Sequence, residues 1–249
     1  MTKRAILWFR QDLRLKDNPA LNYAISNSYQ IVPVFIRDDQ SASEWRRGGA
    51  SRWWLHRSLE SLNRSLDHGL IFVKGSATDI LEKLIKETQS SAVFWNRCYE
   101  PWRIKRDKDI KENLKNKGYE VHTFNSSLLW EPWEIKKDDG TPYKVFTPFY
   151  RKGCLNAHPP EKPLSAPQNI DIYKVSPKGS IENLELLDHH PWHKKFESHW
   201  EPGEEGAQKR AKHFIKNGLN GYKELRNRPD LDNVSVLSPY LHNGEISPR

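Results

Sequence analysis

Short apolar runs alternate with amphipathic stretches along the first 125 residues. Five runs have the length of a β-strand, and several are rich in β-branched or aromatic residues: 5–9, 31–36, 70–73, 92–95 and 120–124. Strand-length runs that alternate with helical stretches favour right-handed crossovers between parallel strands. The pattern therefore predicts an α/β fold with a doubly wound, five-stranded parallel sheet.

The helical stretches between these runs carry recognisable ends. Asn18 precedes Pro19, which places a capping side chain before a proline at the first helical position. Ser76 predicts the cap of a later helix, and Pro101 predicts the start of the next. One apolar stripe at helical spacing, which Gly69 is expected to end, consists of Leu55, Leu59, Leu62 and Leu66.

The pattern changes after residue 125. Ten of the sixteen prolines fall between residues 126 and 202, which predicts a long connection with little regular structure. Helical spacing returns after Pro202. We therefore predict three parts: an α/β domain over residues 1–130, a linker over 131–202, and the truncated beginning of a helical domain over 203–249.

Composition narrows the function only slightly. Forty Lys and Arg residues against thirty-two Asp and Glu residues give a net charge of +8, which favours an anionic partner such as nucleic acid. The two cysteines fit neither a disulfide framework nor a closed zinc site. No apolar window reaches eighteen residues, so we expect a cytoplasmic protein without a membrane segment.

The loop after the first strand is where an open α/β sheet would bind a ligand. The first glycine of the chain is Gly48, so neither a P-loop nor a dinucleotide fingerprint can occupy that loop. Arg10 and Arg14 could bind an anion. The residue types favour the alternative, an ion-pair cluster with Asp12 and Asp17.

Other candidate chemistry is weaker. No Ser lies in a nucleophile elbow, which leaves hydrolase mechanisms without support. The aromatic groups Trp53-Trp54 and 146–150 could stack on a planar ring, although core or interface packing is favoured. A proline interrupts the histidines that could bind a metal, and we predict no metal site at His189, His190 and His193.

Five segments, in order along the chain, resemble the DNA photolyase and cryptochrome family: residues 6–21, 96–101, 143–149, 202–204 and 222–249. The resemblance implies an antenna-type α/β domain, a long linker and an all-α domain that binds FAD. It also implies that the hard chemistry belongs to the flavin. Reduced flavin, excited by light, passes an electron to a pyrimidine dimer that has been flipped out of the DNA duplex.

The resemblance assigns residues near the end of the chain to the flavin. Tyr222 corresponds to a family tyrosine beside the FAD phosphates, and the diphosphate cradle corresponds to Val234, Ser235, Val236, Leu237 and Ser238. Val234 stands where the family has a threonine, so only its N–H could serve. Arg226 lies where the family faces the DNA backbone, its alternative being an ion pair with Glu224 or Asp230.

The resemblance also implies an antenna region that contains Arg10 and Glu100. Family members that bind a folate antenna often carry an Asn-Glu pair where this chain has Trp102 and Arg103. That departure argues against folate and leaves a deazaflavin, another chromophore or an empty pocket open.

The expected function is light-dependent repair of cyclobutane pyrimidine dimers in UV-damaged DNA by a full-length, monomeric photolyase. The family continues beyond Arg249, so we expect this chain to contain no catalytic residue and, alone, neither to retain FAD nor to repair DNA. Two alternatives remain open at this point: a cryptochrome-type photoreceptor, and a stand-alone antenna or nucleotide-binding module. A (6-4) photoproduct also remains open as the substrate.

Overall fold

A computed structural model describes residues 2–176, 179–187 and 191–249. Its centre is a five-stranded sheet in the order β3-β2-β1-β4-β5, in which every pairing is parallel. The strands are Arg4–Phe9 (β1), Gln30–Arg37 (β2), Ile71–Lys74 (β3), Ala92–Asn96 (β4) and Glu120–Phe124 (β5). The doubly wound parallel sheet predicted from the apolar runs is confirmed, each strand agreeing with its run to within one residue at either end.

Helices connect the strands and continue to the end of the chain. Their bounds are Pro19–Ser26 (α1), Asp39–Ala42 (α2), Gly49–Ser65 (α3), Ala77–Thr88 (α4), Pro101–Asn116 (α5), Phe146–Pro148 (α6), Lys194–Glu197 (α7), Glu204–Asn217 (α8), Tyr222–Leu225 (α9) and Ser238–Asn243 (α10). The predicted caps at Asn18 and Ser76 are confirmed, because each side chain accepts a hydrogen bond from a backbone N–H of the first turn.

The end of α3 differs from the prediction at Gly69. The helix stops at Ser65, and the left-handed residues after it are Asp67 and His68, with φ values of 47° and 55°. Gly69 serves a different purpose. A Cβ at this position would lie 2.6 Å from a side-chain carbon of Ile172, so the glycine admits the connecting segment against the sheet domain.

The two faces of the sheet are both buried. Along β1, Ala5, Leu7 and Phe9 pack on one side with α1 and α3, whereas Ile6 and Trp8 pack on the other with α4 and α5. Alternate side chains of a strand point to opposite faces, and a doubly covered sheet therefore requires an apolar residue at every position. This requirement accounts for the unbroken apolar runs in the sequence.

A third apolar cluster joins the sheet domain to the last third of the chain. Trp53 and Trp54 on α3 pack against Ala207 of α8 and Tyr240 of α10. The ring centroids of Trp54 and Tyr240 are 5.0 Å apart at an interplanar angle of 81°. The prediction of core or interface packing is confirmed for this tryptophan pair. No helix in the described ranges is long and apolar enough to cross a membrane.

Candidate functional site

An arginine-lined cleft opens at the carboxyl end of the parallel sheet. Its cavity volume is about 70 Å³ and it is partly open to solvent, so a chromophore-sized ligand would lie partly outside it. Its walls come from the ends of β1 and β2, the start of α3 and the first turns of α5. Seven arginines line this arginine cleft: Arg10, Arg37, Arg46, Arg47, Arg52, Arg103 and Arg106.

The cleft carries an excess of positive charge. Only two acidic side chains, Asp38 and Asp39, are among its lining residues. Burial, reinforced by the neighbouring charge of Arg103, lowers the pKa of Arg47 to about 10. The pKa of His242 is lowered by burial and by Arg47. Burial is the main cause of both shifts, and the neighbouring arginine charge adds to it in each case.

Aromatic rings form the other part of the lining. The Arg106 guanidinium lies 4.9 Å from the ring centroid of Trp8 and 5.1 Å from that of Trp102. The indole Nε1 of Trp8 is buried and has no partner among the described residues. A buried donor without an acceptor costs free energy. A ligand that offers an acceptor over Trp8 would remove that cost.

Arg10 lies at the inner end of the cleft, and its charge is already paired. Its guanidinium donates to the Asp107 carboxylate and to the backbone oxygen of Asn96. Asp12 accepts from the backbone N–H of Arg10 at 2.6 Å rather than from its guanidinium. The expected ion-pair cluster therefore exists, but with Asp107, a residue of α5, as the acid.

Glu100 stands beside the cleft without lining it. It is the residue before α5, and its carboxylate lies 3.4 Å from the Arg103 Nε. Trp102 and Arg103, which replace the Asn-Glu pair of folate-binding relatives, both line the cleft. The assignment of Glu100 to an antenna region stays a prediction, in which it acts through Arg103.

Beyond Arg10, the loop after β1 does not line the cleft. Arg14, 1% exposed, donates to the carbonyl oxygens of Lys16, Asp17, Ser126 and Gly244. Asp17 accepts from the hydroxyl of Ser247 and lies 3.2 Å from the Nε of Arg249. Neither anion binding nor an ion pair with Asp12 or Asp17 describes Arg14. This loop instead holds the end of the chain against the sheet domain.

The cradle loop, residues 234–238, is held to α8 through its carbonyl oxygens. Arg210 of α8 donates to the carbonyl oxygens of Val234 and Ser235, both at 2.9 Å. Val236 adopts a left-handed φ of 52°. In the described part of the chain, the N–H groups of residues 234–236 donate to no protein acceptor. Arg210 thus fixes the carbonyl side and leaves the donor side available.

Sequence reasoning did not identify Arg210, because it lies 24 and 25 residues before the carbonyls that it binds. Asp232 ties the same loop to α8. Hydrogen bonds from Arg210 and then from His213 lower its pKa. The Arg210–Asp232 contact is 2.8 Å.

Tyr222 and Arg226 lie at the far end of α8. The Tyr222 ring packs edge-on against Phe214, with centroids 5.7 Å apart. The Arg226 guanidinium is exposed, 5.9 Å from the centroid of the Tyr222 ring. Within the described residues it pairs with neither Glu224 nor Asp230, because Asp230 pairs with Arg228. The role of Arg226 therefore stays a prediction.

One hydrogen bond connects the two candidate sites. Arg47 of the arginine cleft donates to the Asn243 side chain at 3.0 Å, and Asn243 is the last residue of α10. The cradle loop leads directly into that helix.

The three histidines considered as metal ligands are only partly described. His189 and His190 lie outside the described residues, and His193 Nδ1 lies 3.8 Å from a carboxylate oxygen of Glu197.

Comparison with known proteins places these features in one family. The DNA photolyase family profile matches residues 5–168. The chain is 40% identical over 252 residues to the deoxyribodipyrimidine photo-lyase of Agrobacterium fabrum, covering 99% of this chain and 52% of the relative. It is 35% identical to cryptochrome-2 of Arabidopsis thaliana, covering 100% of this chain and 42% of that protein.

The fold agrees with the sequence comparison. The crystal structure of a class III photolyase from Agrobacterium tumefaciens superposes with a TM-score of 0.92 at 40% identity, covering 100% of this chain and 52% of that one. The chain thus spans about half the length of the curated relatives it matches.

Proposed function

Since this chain belongs to the DNA photolyase family, we propose that it forms the light-collecting α/β domain and the first part of the FAD site of an enzyme that repairs cyclobutane pyrimidine dimers in UV-damaged DNA. The observation that carries the proposal is the pairing of an arginine cleft with a donor-presenting cradle loop, joined through Arg47 and Asn243.

The cradle loop fits a diphosphate. The N–H groups of residues 234–236 donate to no protein acceptor within the described residues, and Arg210 holds the carbonyl oxygens of Val234 and Ser235. Ser235 and Ser238 add hydroxyls, whereas Val234 contributes only its N–H. Tyr222, which packs on Phe214 one turn along α8 from Arg210, would lie beside the phosphates, and Arg226 would contact the DNA backbone. Bound FAD would supply the light-driven electron transfer.

The arginine cleft fits an antenna chromophore that is planar and anionic. Trp8 and Trp102 provide ring surfaces, and the arginines provide the countercharge. Trp102 and Arg103 replace the Asn-Glu pair of folate-binding relatives, so a deazaflavin or another flavin-like chromophore suits the cleft better than a folate.

Binding of chromophores tests the antenna assignment. Flavin mononucleotide, a deazaflavin and methenyltetrahydrofolate would be titrated against the chain by fluorescence quenching at two salt concentrations. A double Arg46→Gln, Arg47→Gln variant is expected to weaken the best ligand at least about tenfold, with a shallower salt dependence. Arg64→Gln, an exposed arginine of α3 outside the cleft, is the matched control. An equal loss of chromophore affinity in the double variant and in Arg64→Gln would reject the arginine cleft as the antenna site.

Repair itself is tested with UV-irradiated oligothymidylate, in light and in darkness. The assay would use the 249-residue chain and the full-length gene product. We expect light-dependent loss of dimers with the full-length product. Light-dependent spectral changes without repair would instead favour the cryptochrome function, which the 35% identity to cryptochrome-2 keeps as the second candidate.

A further inference from the structure

Glu245 is a buried carboxyl group without a cation. It follows α10 and is 0% exposed. Its Oε2 accepts from the Trp54 indole N–H at 2.8 Å, and its Oε1 lies 2.5 Å from both the Gly203 N–H nitrogen and the Ser58 hydroxyl. No ion pair to this carboxyl exists in the described part of the chain. An ionised carboxylate in such a setting carries a large desolvation cost.

The number of hydrogen atoms available around Ser58 bears on whether the Glu245 carboxyl group is neutral or ionised. The Ser58 Oγ lies 2.8 Å from the carbonyl oxygen of Trp54 and 2.5 Å from Glu245 Oε1. A hydroxyl has one hydrogen, and neither neighbouring oxygen can donate if Glu245 is ionised. A neutral Glu245 supplies the missing proton. A protonated Glu245 would donate to Ser58, and the Ser58 hydroxyl would then be left to donate to the Trp54 carbonyl oxygen.

Charges on the surrounding elements do not stabilise the ionised form by direct contact. The titratable and charged groups on the packed elements are Arg52, His56, Arg57, Glu60 and Arg64 on α3, Glu201 before α8, Glu204, Glu205, Lys209, Arg210, Lys212, His213 and Lys216 on α8, and Tyr240 and His242 on α10. Burial raises the pKa of Glu245 to about 7, against the opposing effect of hydrogen bonds from Ser58, Trp54 and Gly203. The hydrogen-bond geometry and the electrostatics therefore both favour a neutral Glu245 carboxyl group.

We propose that Glu245 acts as a neutral acid and is a positioning residue, which fixes α10, and with it the cradle loop, on α3. The inference rests on the proposed function for the role of the cradle loop, but not for the state of the carboxyl. Loss of the proton leaves an unpaired charge between α3, Gly203 and α10. The contact then weakens, and the cradle loop loses its fixed position against the sheet domain.

Infrared spectroscopy of the 249-residue chain tests the protonation state. At about pH 6, exposed carboxyl groups are ionised, so a neutral acid gives an isolated C=O band. We expect a band that shifts on ¹³C labelling of glutamate and is absent from Glu245→Gln. Glu131→Gln is the control, because Glu131 is a buried carboxyl group that has an arginine partner, Arg97. Absence of the band from the wild-type chain overturns the inference and leaves the proposed repair function untouched.

The positioning role is tested by the pH dependence of unfolding and of Trp54 fluorescence. The pKa of Glu245 is raised in the folded state. The wild-type chain therefore loses stability as pH rises from the ordinary pKa range of glutamate through about 7. A shift from 4.5 to about 7 corresponds to about a 300-fold increase in the unfolding constant.

Glu245→Gln loses one hydrogen bond in either amide orientation, so it is less stable at low pH, but its pH dependence over this range is removed. The Trp54 emission is expected to titrate with the infrared band in the wild type only. The positioning role is overturned if the pH dependence of stability is identical in the two proteins. It is also overturned if the Trp54 emission does not titrate together with the infrared band. If the full-length gene product does not repair DNA but the infrared band of Glu245 titrates, only the proposed function is rejected.

Discussion

Replacing Gly244 by alanine tests how closely the end of the chain is docked on the sheet domain. Gly244 has a φ of 70°, and a Cβ there would lie 1.9 Å from the carbonyl oxygen of Gln11 and 2.6 Å from the Cα of Asp12. Both contacts are to backbone atoms, so no rotation of a side chain relieves them. The turn after α10 must therefore move away from the loop after β1.

The expected cost follows from two contributions. A left-handed alanine costs about 1–2 kcal/mol. Relief of the clash requires a shift on the order of 1 Å, which breaks the 2.9 Å bond from Arg14 Nη1 to the Gly244 carbonyl oxygen. A buried hydrogen bond to a charged group contributes about 1.5–3 kcal/mol. Together these give about 3–5 kcal/mol.

Urea unfolding followed by tryptophan fluorescence measures this cost. The control is Gly48→Ala, because Gly48 has a φ of −73° and a Cβ there would meet nothing within 4 Å. We expect the control to cost about 0.5–1 kcal/mol, because Gly48 is the N-cap of α3 and alanine is a poorer cap. If Gly244→Ala lies within about 1 kcal/mol of the wild type, the close approach to Gln11 is not a feature of the folded chain.

Three further substitutions test the loop contacts. Arg14→Met leaves four carbonyl oxygens without their donor, and we expect a loss of about 3–5 kcal/mol in urea unfolding. Asn96→Asp places a carboxylate about 2.6 Å from that of Asp12, so stability should fall at neutral pH and recover on acidification. Arg210→Gln removes the main cause of the lowered pKa of Asp232, which should rise in an NMR titration.

Each of these has its own control. Arg64→Met, at an exposed position, should leave stability unchanged, and an equal loss there would remove the argument for Arg14. Asn96→Leu should destabilise without any pH dependence. For Arg210, replacement by lysine keeps a charge but not the forked contact to Val234 and Ser235. An unshifted Asp232 pKa in Arg210→Gln would contradict the described geometry.

The regular elements could be predicted because their signals are local. The apolar runs identified all five strands, and Asn18 and Pro101 marked the starts of α1 and α5. The prediction that Gly69 ends α3 was wrong. Glycine after a helix usually ends it, whereas here Gly69 makes room for Ile172, a contact about 100 residues away in sequence.

The site was less predictable because its residues meet only in three dimensions. The arginine cleft draws its seven arginines from four separate parts of the chain, and none stands in a recognisable motif. For Arg14 the residue types favour an ion pair with Asp12 or Asp17 over anion binding, and neither describes it, because its partners are backbone oxygens, which have no residue-type signature. The cradle loop could be located only through resemblance, and Arg210, which holds it, carried no signal.

The buried position of Arg14 has a consequence for synthesis on the ribosome. Its acceptors on Asp17, Ser126 and Gly244 lie 3, 112 and 230 residues further along the chain. The sheet can therefore close before the last acceptor exists. At typical elongation rates, roughly 10 s separate the emergence of Ser126 and Gly244. During that interval the guanidinium depends on water, so the nascent sheet domain lacks one of the buried hydrogen bonds that stabilise it in the complete fold.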